Sequence, residues 1–578
     1  MEMRFRNGDI QSARPPSWWK DVVVYQIWPA SFKDSNGDGL GDLRGIISKL
    51  DYLKDLGVDV IWLSPMYDSP QDDMGYDISD YNKIYPPYGT MDDMDELIAG
   101  VHNRGMRIVL DLVVNHTSSE HWWFQESKKS RKGKYADFYM WRDAKIGKDG
   151  TREPPNNWGS VFGGSAWEWG EEREQYYLHI FATRQPDLNW ESAEVRKEIH
   201  ESALRFWFKK GVDGFRVDTC NIYSKDPELK DGEVTPRSAP FGDPQEGMVN
   251  GPMIHPIWQE IRQKVLNDFG DPLMVGELSL CTFEETMKYI GREPRELSMV
   301  FDFTYTMLGG IHEKPPHEVG SYPLPEAKKA MKKPQEYVVQ PLAWASVFKE
   351  NHDLPRSISR HGTNNPKFWE MAAKLLAMMT STLSGTLFLY QGEEIGMTNI
   401  PETWSIDDCK DLSSINYWNK MEKEYPNDKE MMQKVWKGIV ECSRDNARTP
   451  VQWSGEENAG FTTGKPWMRV NENYQTGLNV ADQQKSQDSV WSFWKELLRL
   501  RKQHKEIFME GSYHVHDLEN KQTWTFEKRG KEGRKAWIVL NFSENESPVE
   551  TRGKLALSNA SNPGDRLQPF EGRIYFQE

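Results

Sequence analysis

Eight short apolar runs, most of them followed by stretches of helical periodicity, constrain this 578-residue chain more than any other feature. The runs cover 22–28, 58–63, 107–114, 212–217, 273–276, 299–303, 343–348 and 386–390. Helical spacing fills 46–56, with apolar residues at Ile46, Ile47, Leu50, Leu53 and Leu56, and recurs at 91–104, 192–210 and 489–503. Strands that alternate with helices of this length predict parallel βαβ units. Eight such units predict an α/β protein built on a closed (β/α)8 TIM barrel.

The alternation fails in two places. Residues 117–189 are polar, aromatic and punctuated by Gly and Pro, and they are too many for a bare loop. A small inserted domain after the third strand is expected there. Beyond about 508 the text becomes short alternating runs such as 523–526 and 536–540, which predict a C-terminal all-β domain. The expected order is barrel (1–116), inserted domain (117–189), barrel again (190–507) and a C-terminal β-sandwich (508–578).

A net charge of −16 argues against nucleic-acid or anionic-membrane partners, which require basic surfaces. No run of 18 apolar residues is present to span a membrane. The first residues lack the apolar core of a secretory signal, and Cys220, Cys281, Cys409 and Cys442 lie far apart without metal-ligand spacing. Reduced thiols and a cytoplasmic location are therefore expected. The 24 tryptophans offer flat faces of the kind that hold sugars, although packing must account for most of them.

Chemistry concentrates at the strand ends. In Gly214-Phe215-Arg216-Val217-Asp218-Thr219, Arg216 and Asp218 stand two apart and share one strand face. A guanidinium at that spacing favours an ionised carboxylate, as a carboxylate nucleophile requires; a structural ion pair is the plainer alternative. The third run leads into Asn115-His116, the fifth into Glu277 and the seventh into Asn351-His352-Asp353. Barrel enzymes carry their reactive groups on this face, so Asp218, Glu277 and Asp353 are expected to converge there. Paired carboxylates, without a phosphate-cradling loop or a catalytic metal cluster, point to glycosyl transfer.

From about Trp18 to Gln503 the chain resembles glycoside hydrolase family thirteen, the α-amylase family, and within it the maltase/oligo-1,6-glucosidase branch. The matching text is Gln71 to Asp77, Asp111 to His116, Gln185 to Trp190, Gly214 to Thr219, Val275-Gly276-Glu277, Asn351-His352-Asp353 and Ser443 to Pro450, all in family order. The resemblance implies Asp218 as nucleophile, Glu277 as general acid and then base, and Asp353 as stabiliser of the transition state. It implies that Arg216 orients Asp218, that His116 and His352 bind the reacting sugar, and that Tyr76 offers a stacking platform. Asp73 and Arg444 resemble a pair that closes the pocket over the non-reducing end. Phe162 and Phe181 resemble aromatics at the pocket mouth, with packing inside the insert as the alternative.

Asp34 to Asp42 presents oxygen ligands at alternate positions, as a calcium loop does, but Gly45 stands where an EF-hand places its last glutamate. An Asx/Gly turn would read the same. The resemblance implies a structural Ca²⁺ or Mg²⁺ held by Asp34, Asn36, Asp38, the Leu40 carbonyl and Asp42, and no organic cofactor.

The expected activity is that of an exo-acting, retaining α-glucosidase on small oligosaccharides, acting as a monomer or weak homodimer. In the family, a hydroxyl residue at the position of Thr219 goes with α-1,4 bonds and valine with α-1,6, so maltose-type substrates are expected, with sucrose a further one. A transglycosylating enzyme or sucrose isomerase on the same scaffold is the alternative. A non-catalytic, transporter-associated relative is a more distant one.

Overall fold

The computed structural model describes residues 17–235, 238–291, 293, 295–340 and 342–577. Every apolar run forms a strand. They are β1 (Val23–Ile27), β2 (Val60–Leu63), β3 (Arg107–Leu112), β4 (Gly214–Val217), β5 (Leu273–Glu277), β6 (Met299–Phe301), β7 (Ser346–Val347) and β8 (Thr386–Tyr390). They build one sheet in the order β6-β5-β4-β3-β2-β1-β8-β7. The first strand pairs in parallel with the last, Val23 opposite Leu387 and Gln26 opposite Tyr390. That pairing wraps the sheet round into a barrel, nearly closed, with β6 and β7 as its two ends.

The strands β1, β2 and β8 are fully buried and largely apolar because helices cover a barrel from outside and side chains fill it from within. Gly214 opens β4 because a Cβ there would lie 2.0 Å from the Leu273 carbonyl oxygen. The expected helix at 46–56 is two helices, Leu43–Ile47 and Leu50–Leu56. Asp42 caps the first by accepting from Gly45 N, and Gly57 ends the second with φ 107°. The helix at 192–210 is likewise divided, with a π-turn at His200–Arg205 between Ala193–Ile199 and Phe206–Lys210.

Contacts divide the chain into two compact units. One comprises residues 63–98 and 108–300, with 17–18. In it Trp141–Arg142, Gln175–Leu178 and Trp167–Gly170 form a three-stranded antiparallel sheet inside the insert. Met140, Trp158, Trp167, Leu178 and Ile180 share a core with Ile222, Leu229 and Met248, so the insert is anchored on the segment that leaves β4. Each such side chain, fully buried, contributes about 1.5–3 kcal/mol.

The other unit comprises residues 19–62, 99–107 and 301–577. Its last part is a five-stranded antiparallel sheet in the order Ser512–Val515, Thr523–Arg529, Lys535–Asn541, Gly572–Gln577, Lys554–Ser558. The helix Leu324–Tyr337 packs on its first two strands. Among the described residues no helix is long and apolar enough to cross a membrane.

Candidate active site

The end of β4 and the end of β5 meet through one side chain. Arg216 lies opposite Asp111 of β3 in the sheet register, and both are buried. Its Nη1 donates to Asp111 Oδ1 at 2.6 Å and to Asp218 Oδ1 at 2.8 Å, and its Nη2 donates to Glu277 Oε2 at 2.6 Å. Burial alone would lower the basicity of this guanidinium. The charges of Asp111, Glu277, Tyr76 and Asp218 outweigh it and raise Arg216 well above its ordinary value. A permanent cation thus holds three carboxylates within hydrogen-bond reach of itself.

Thr219 ties the same two acids together. Its backbone is left-handed, with φ 42°, so that its N–H donates to Glu277 Oε2 at 3.2 Å. Its hydroxyl donates to Asp218 Oδ2 at 3.3 Å. Tyr76 donates its hydroxyl to Asp111 Oδ2 at 3.1 Å, and Arg216 lies over its ring at 5.8 Å.

His116 is enclosed, and burial lowers its basicity. Its Nε2 donates to the Tyr76 carbonyl at 2.9 Å, and Asn115 Nδ2 stands 3.3 Å from Nδ1. Phe181 packs against His116 with ring centroids 5.0 Å apart and against Phe162 at 6.0 Å, and it also covers the insert's core. Asp73 is buried and accepts from Gln185 Nε2 at 3.0 Å. The loop that carries Asp73 and Tyr76 is shaped by Asp77, which accepts from Asp72 N, Asp73 N and the Ser69 hydroxyl.

The second unit holds the Asp353 group. Gln26 Nε2 donates to His352 Nδ1 at 2.9 Å, which leaves the ring proton on Nε2, 3.0 Å from Asp353 Oδ2. The His352 ring stacks on Trp28 at 5.3 Å. Arg448 Nη2 donates to Asp353 Oδ1 at 3.0 Å, with Arg444 Nη1 at 3.5 Å. Burial would raise Asp353, but His352, Arg444 and Arg448 prevail and hold it well below the usual carboxylate range. Arg444 is itself paired with Asp411, Nη2 to Oδ1 at 2.7 Å.

Several of these groups were not singled out from sequence: Asp111, Gln185, Asp187, Lys225, Asp411 and Arg448. Lys225 is buried, with Nζ 2.6 Å from Asp187 Oδ2 and 2.7 Å from Asn115 Oδ1, so an ammonium organises the segment behind His116. Asp111, Gln185, Asp187 and Arg448 lie inside the motif text that resembles the family, which is a signal for them; for Lys225 and Asp411 the general expectation is that a buried charge needs a partner.

In the loop at 34–42, the Asp34 carboxylate accepts from the N–H groups of Asn36, Gly37 and Gly39 and from the Thr462 hydroxyl. Burial acts to raise it, and these hydrogen bonds lower it. Asp38 accepts from Leu40 N, while Asp42 accepts from Ser35 and caps the following helix. The donor set is all oxygen, as a hard cation requires. Much of it already serves the loop's own backbone, and no group of three or more His, Cys, Asp or Glu is placed to hold a metal among the described residues.

Residues 26–511 match the α-amylase family in its catalytic domain. The chain is 47% identical over 566 residues to an α-glucosidase of Candida albicans, covering 96% of this chain and 99% of that one. It is 45% identical over 570 residues to an oligo-1,6-glucosidase of Bacillus cereus, covering 96% and 99%. Among solved structures it is similar to a mutant isomaltulose synthase of Erwinia rhapontici NX5 in complex with sucrose, with a TM-score of 0.89, 37% identity and coverage of 97% and 99%. A barrel with acids at its strand ends, matched over most of its length, places the chain in the α-amylase family, as a glycoside hydrolase.

Proposed function

We propose that the protein is an exo-acting, retaining α-glucosidase that releases glucose from the non-reducing end of short α-glucosides, with α-1,4 bonds preferred over α-1,6. The observation that carries the reading is the single guanidinium of Arg216 joined to both Asp218 and Glu277. Two acids hung on one fork are close neighbours, and retention works with carboxyl groups about 5–5.5 Å apart, against about 6.5–9.5 Å for inversion.

In this mechanism an Asp218 oxygen attacks the anomeric carbon as the glycosidic C–O bond breaks, and Glu277 delivers its proton to the leaving oxygen. Water then attacks the same carbon, gives its proton to Glu277 and frees Asp218. Arg216 fixes Asp218. Asp353, kept anionic by His352, Arg444 and Arg448, faces the positive charge that develops on the sugar ring. His116 and His352 shape the glucose site, Tyr76 stacks on it, Phe162 and Phe181 border its mouth, and Asp73 with Arg444 closes the far end.

The test is turnover of maltose, isomaltose, sucrose and trehalose by the parent and by Asp218→Ala and Glu277→Gln. Both variants should lose activity by orders of magnitude while still folding, as read by a cooperative thermal transition. Inverted product stereochemistry would overturn the nucleophile assignment. Sucrose isomerisation is a second reading, supported by the similarity to an isomaltulose synthase. It predicts isomerised disaccharide in place of free glucose and fructose. The loop at 34–42 is proposed to hold a structural Ca²⁺ or Mg²⁺ through Asp34, Asn36, Asp38, Leu40 and Asp42, supplying cross-linking charge and no step of the reaction.

A further inference from the structure

The register of β4 and β5 ends with Val217 opposite Gly276, one residue short of both acids. The chain that follows Asp218 carries the pairing on. Cys220 N donates to the Glu277 carbonyl at 3.0 Å. Asn221 then does with its side chain what a strand does with its backbone. Its Nδ2 donates to the Ser279 carbonyl at 2.8 Å, and its Oδ1 accepts from Ser279 N at 3.2 Å. Only one orientation of the amide satisfies both groups, because the oxygen cannot donate and the nitrogen cannot accept.

Asn221 is fixed in its turn. It is fully buried, and its own carbonyl accepts from Asn250 N at 2.8 Å. The Cys220 carbonyl accepts from Trp258 Nε1 at 2.9 Å. Asn250 and Asn221 each donate from Nδ2 to Cys281 Sγ at 3.4 Å, and Asn250 Oδ1 accepts from the Tyr289 hydroxyl at 2.5 Å. The segment 277–281 is thus gripped at Glu277, Ser279 and Cys281. Between the last two, Leu280 is exposed and left-handed, with φ 52°. Strained backbone under a side chain that gains little from burial persists only where its neighbours hold it. Hydrogen bonds at 279 and 281 supply that hold.

A buried amide that spends both ends on one residue, two places beyond Glu277, governs how the chain leaves β5. We propose that Asn221 is a positioning residue for Glu277, holding the exit of β5 so that the carboxyl group meets the leaving oxygen. The inference rests on the proposed function for the role of Glu277. In the step concerned, Asp218 forms a bond to the anomeric carbon, the bond from that carbon to the leaving oxygen breaks, and the Glu277 proton passes to that oxygen. A strongly basic leaving oxygen needs that proton, whereas a weakly basic one departs as an anion without it. A displaced Glu277 therefore slows substrates in proportion to the basicity of their leaving groups. General loosening of the fold slows them all alike.

Asn221→Leu keeps the bulk of the side chain and removes both hydrogen bonds to Ser279. Asn221→Ala, which opens space in place of filling it, serves should Asn221→Leu show no cooperative thermal transition. The readout is kcat/KM, which reports the first bond-breaking step, for maltose and for aryl α-glucosides running from p-nitrophenyl to p-methoxyphenyl. For maltose and the p-methoxyphenyl glucoside it should fall by about 10- to 100-fold, part of the roughly 10²–10⁴-fold that a positioned acid supplies, and for the p-nitrophenyl glucoside by less than about threefold. Glu277→Gln, measured on the same series, should show the same trend more steeply. A fall of equal size across the series in the Asn221 variants, or no fall, would overturn the inference and leave the glucosidase reading standing. A Glu277→Gln protein whose loss is independent of the leaving group would overturn the assignment of Glu277 as the acid, and the inference with it.

Discussion

Thr219 is the residue on which linkage preference and local strain meet. A β-branched residue at φ 42° is rare, and such strain costs of order 1–3 kcal/mol, which the hydrogen bonds to both acids offset. Thr219→Val keeps the branching and the N–H to Glu277 but removes the hydroxyl from Asp218. It should lower the ratio of maltose to isomaltose turnover severalfold; an unchanged ratio would remove Thr219 from the account of linkage. Asp111 sits directly opposite Arg216 in the sheet register, and Asp111→Asn leaves part of a buried cation unmatched. A loss of about 3–5 kcal/mol is expected for breaking a buried pair, together with a marked fall in turnover, read by urea unfolding and kinetics. The contrast with Asp218 explains what sequence can tell. Asp218, Glu277 and Asp353 each end an apolar run, so position alone exposes them. Asp111 lies inside such a run and reads as an anomaly of a strand. Gln185, Lys225 and Asp411 come from irregular segments, and their partners are set by tertiary packing that no periodicity records.

Two loops illustrate how short elements hold the site, and both can be tested. In the loop at 34–42, Asp34 anchors three backbone N–H groups, and Gly39 cannot change because a Cβ there would lie 1.8 Å from the Lys465 carbonyl oxygen. Asp34→Ala should lower the melting temperature more than turnover. If the loop binds metal in the native state alone, a chelator should lower it as well, by mass action. A melting temperature indifferent to chelator would return the loop to an Asx turn. In the loop at 71–77, burial raises Asp77 to about 6 against the lowering effect of its hydrogen bonds. A carboxyl raised in the folded state keeps its proton longer when folded than when unfolded. Its contribution is therefore complete below about pH 4 and is lost as pH rises through about 6. Relative to Asp77→Asn, the parent should lose up to roughly 3 kcal/mol between pH 4 and 7, measured by urea midpoints. The opposite drift would show that hydrogen bonding, not burial, governs Asp77. The apolar runs predicted the strands because a strand buried on both faces has no other composition. The helix at 192–210 hides its π-turn because its buried positions Val195, Ile199, Ala203 and Trp207 step by four, near enough to the α-helical period of about 3.6 to read as one helix.

At the scale of the whole molecule, the C-terminal sheet is bound to the second unit by groups that could not survive its removal. Lys328 is buried in the helix Leu324–Tyr337, and its ammonium reaches Asp517 Oδ1 at 3.0 Å and the Asn520 carbonyl at 2.8 Å. Lys528 is buried in the sheet and bonds to the Ser384 hydroxyl and the Gly511 carbonyl. Asn559 Nδ2 donates to the Met371 carbonyl at 2.9 Å. Gly572 lies so near Met378 and Leu375 that a Cβ would stand 2.8 Å from Met378 Sδ and 3.0 Å from Leu375 Cδ1. A chain ending at Glu510 would strip Lys328 of its partners and expose the apolar helix Trp369–Ser381, which loses the apolar burial the sheet provides. Domains hold only about 5–15 kcal/mol in all. The truncated chain should therefore show no cooperative thermal transition and no turnover, even though every candidate catalytic residue remains. Lys328→Met in the full chain separates the two contributions. It removes the charge and keeps the sheet, so it should fold, melt within several degrees of the parent and hydrolyse substrate. A truncated chain that melts cooperatively and turns over maltose would mean that residues 19–507 fold without the sheet, and that the contacts at Lys328, Ser384 and Met371 add stability without deciding whether the barrel forms.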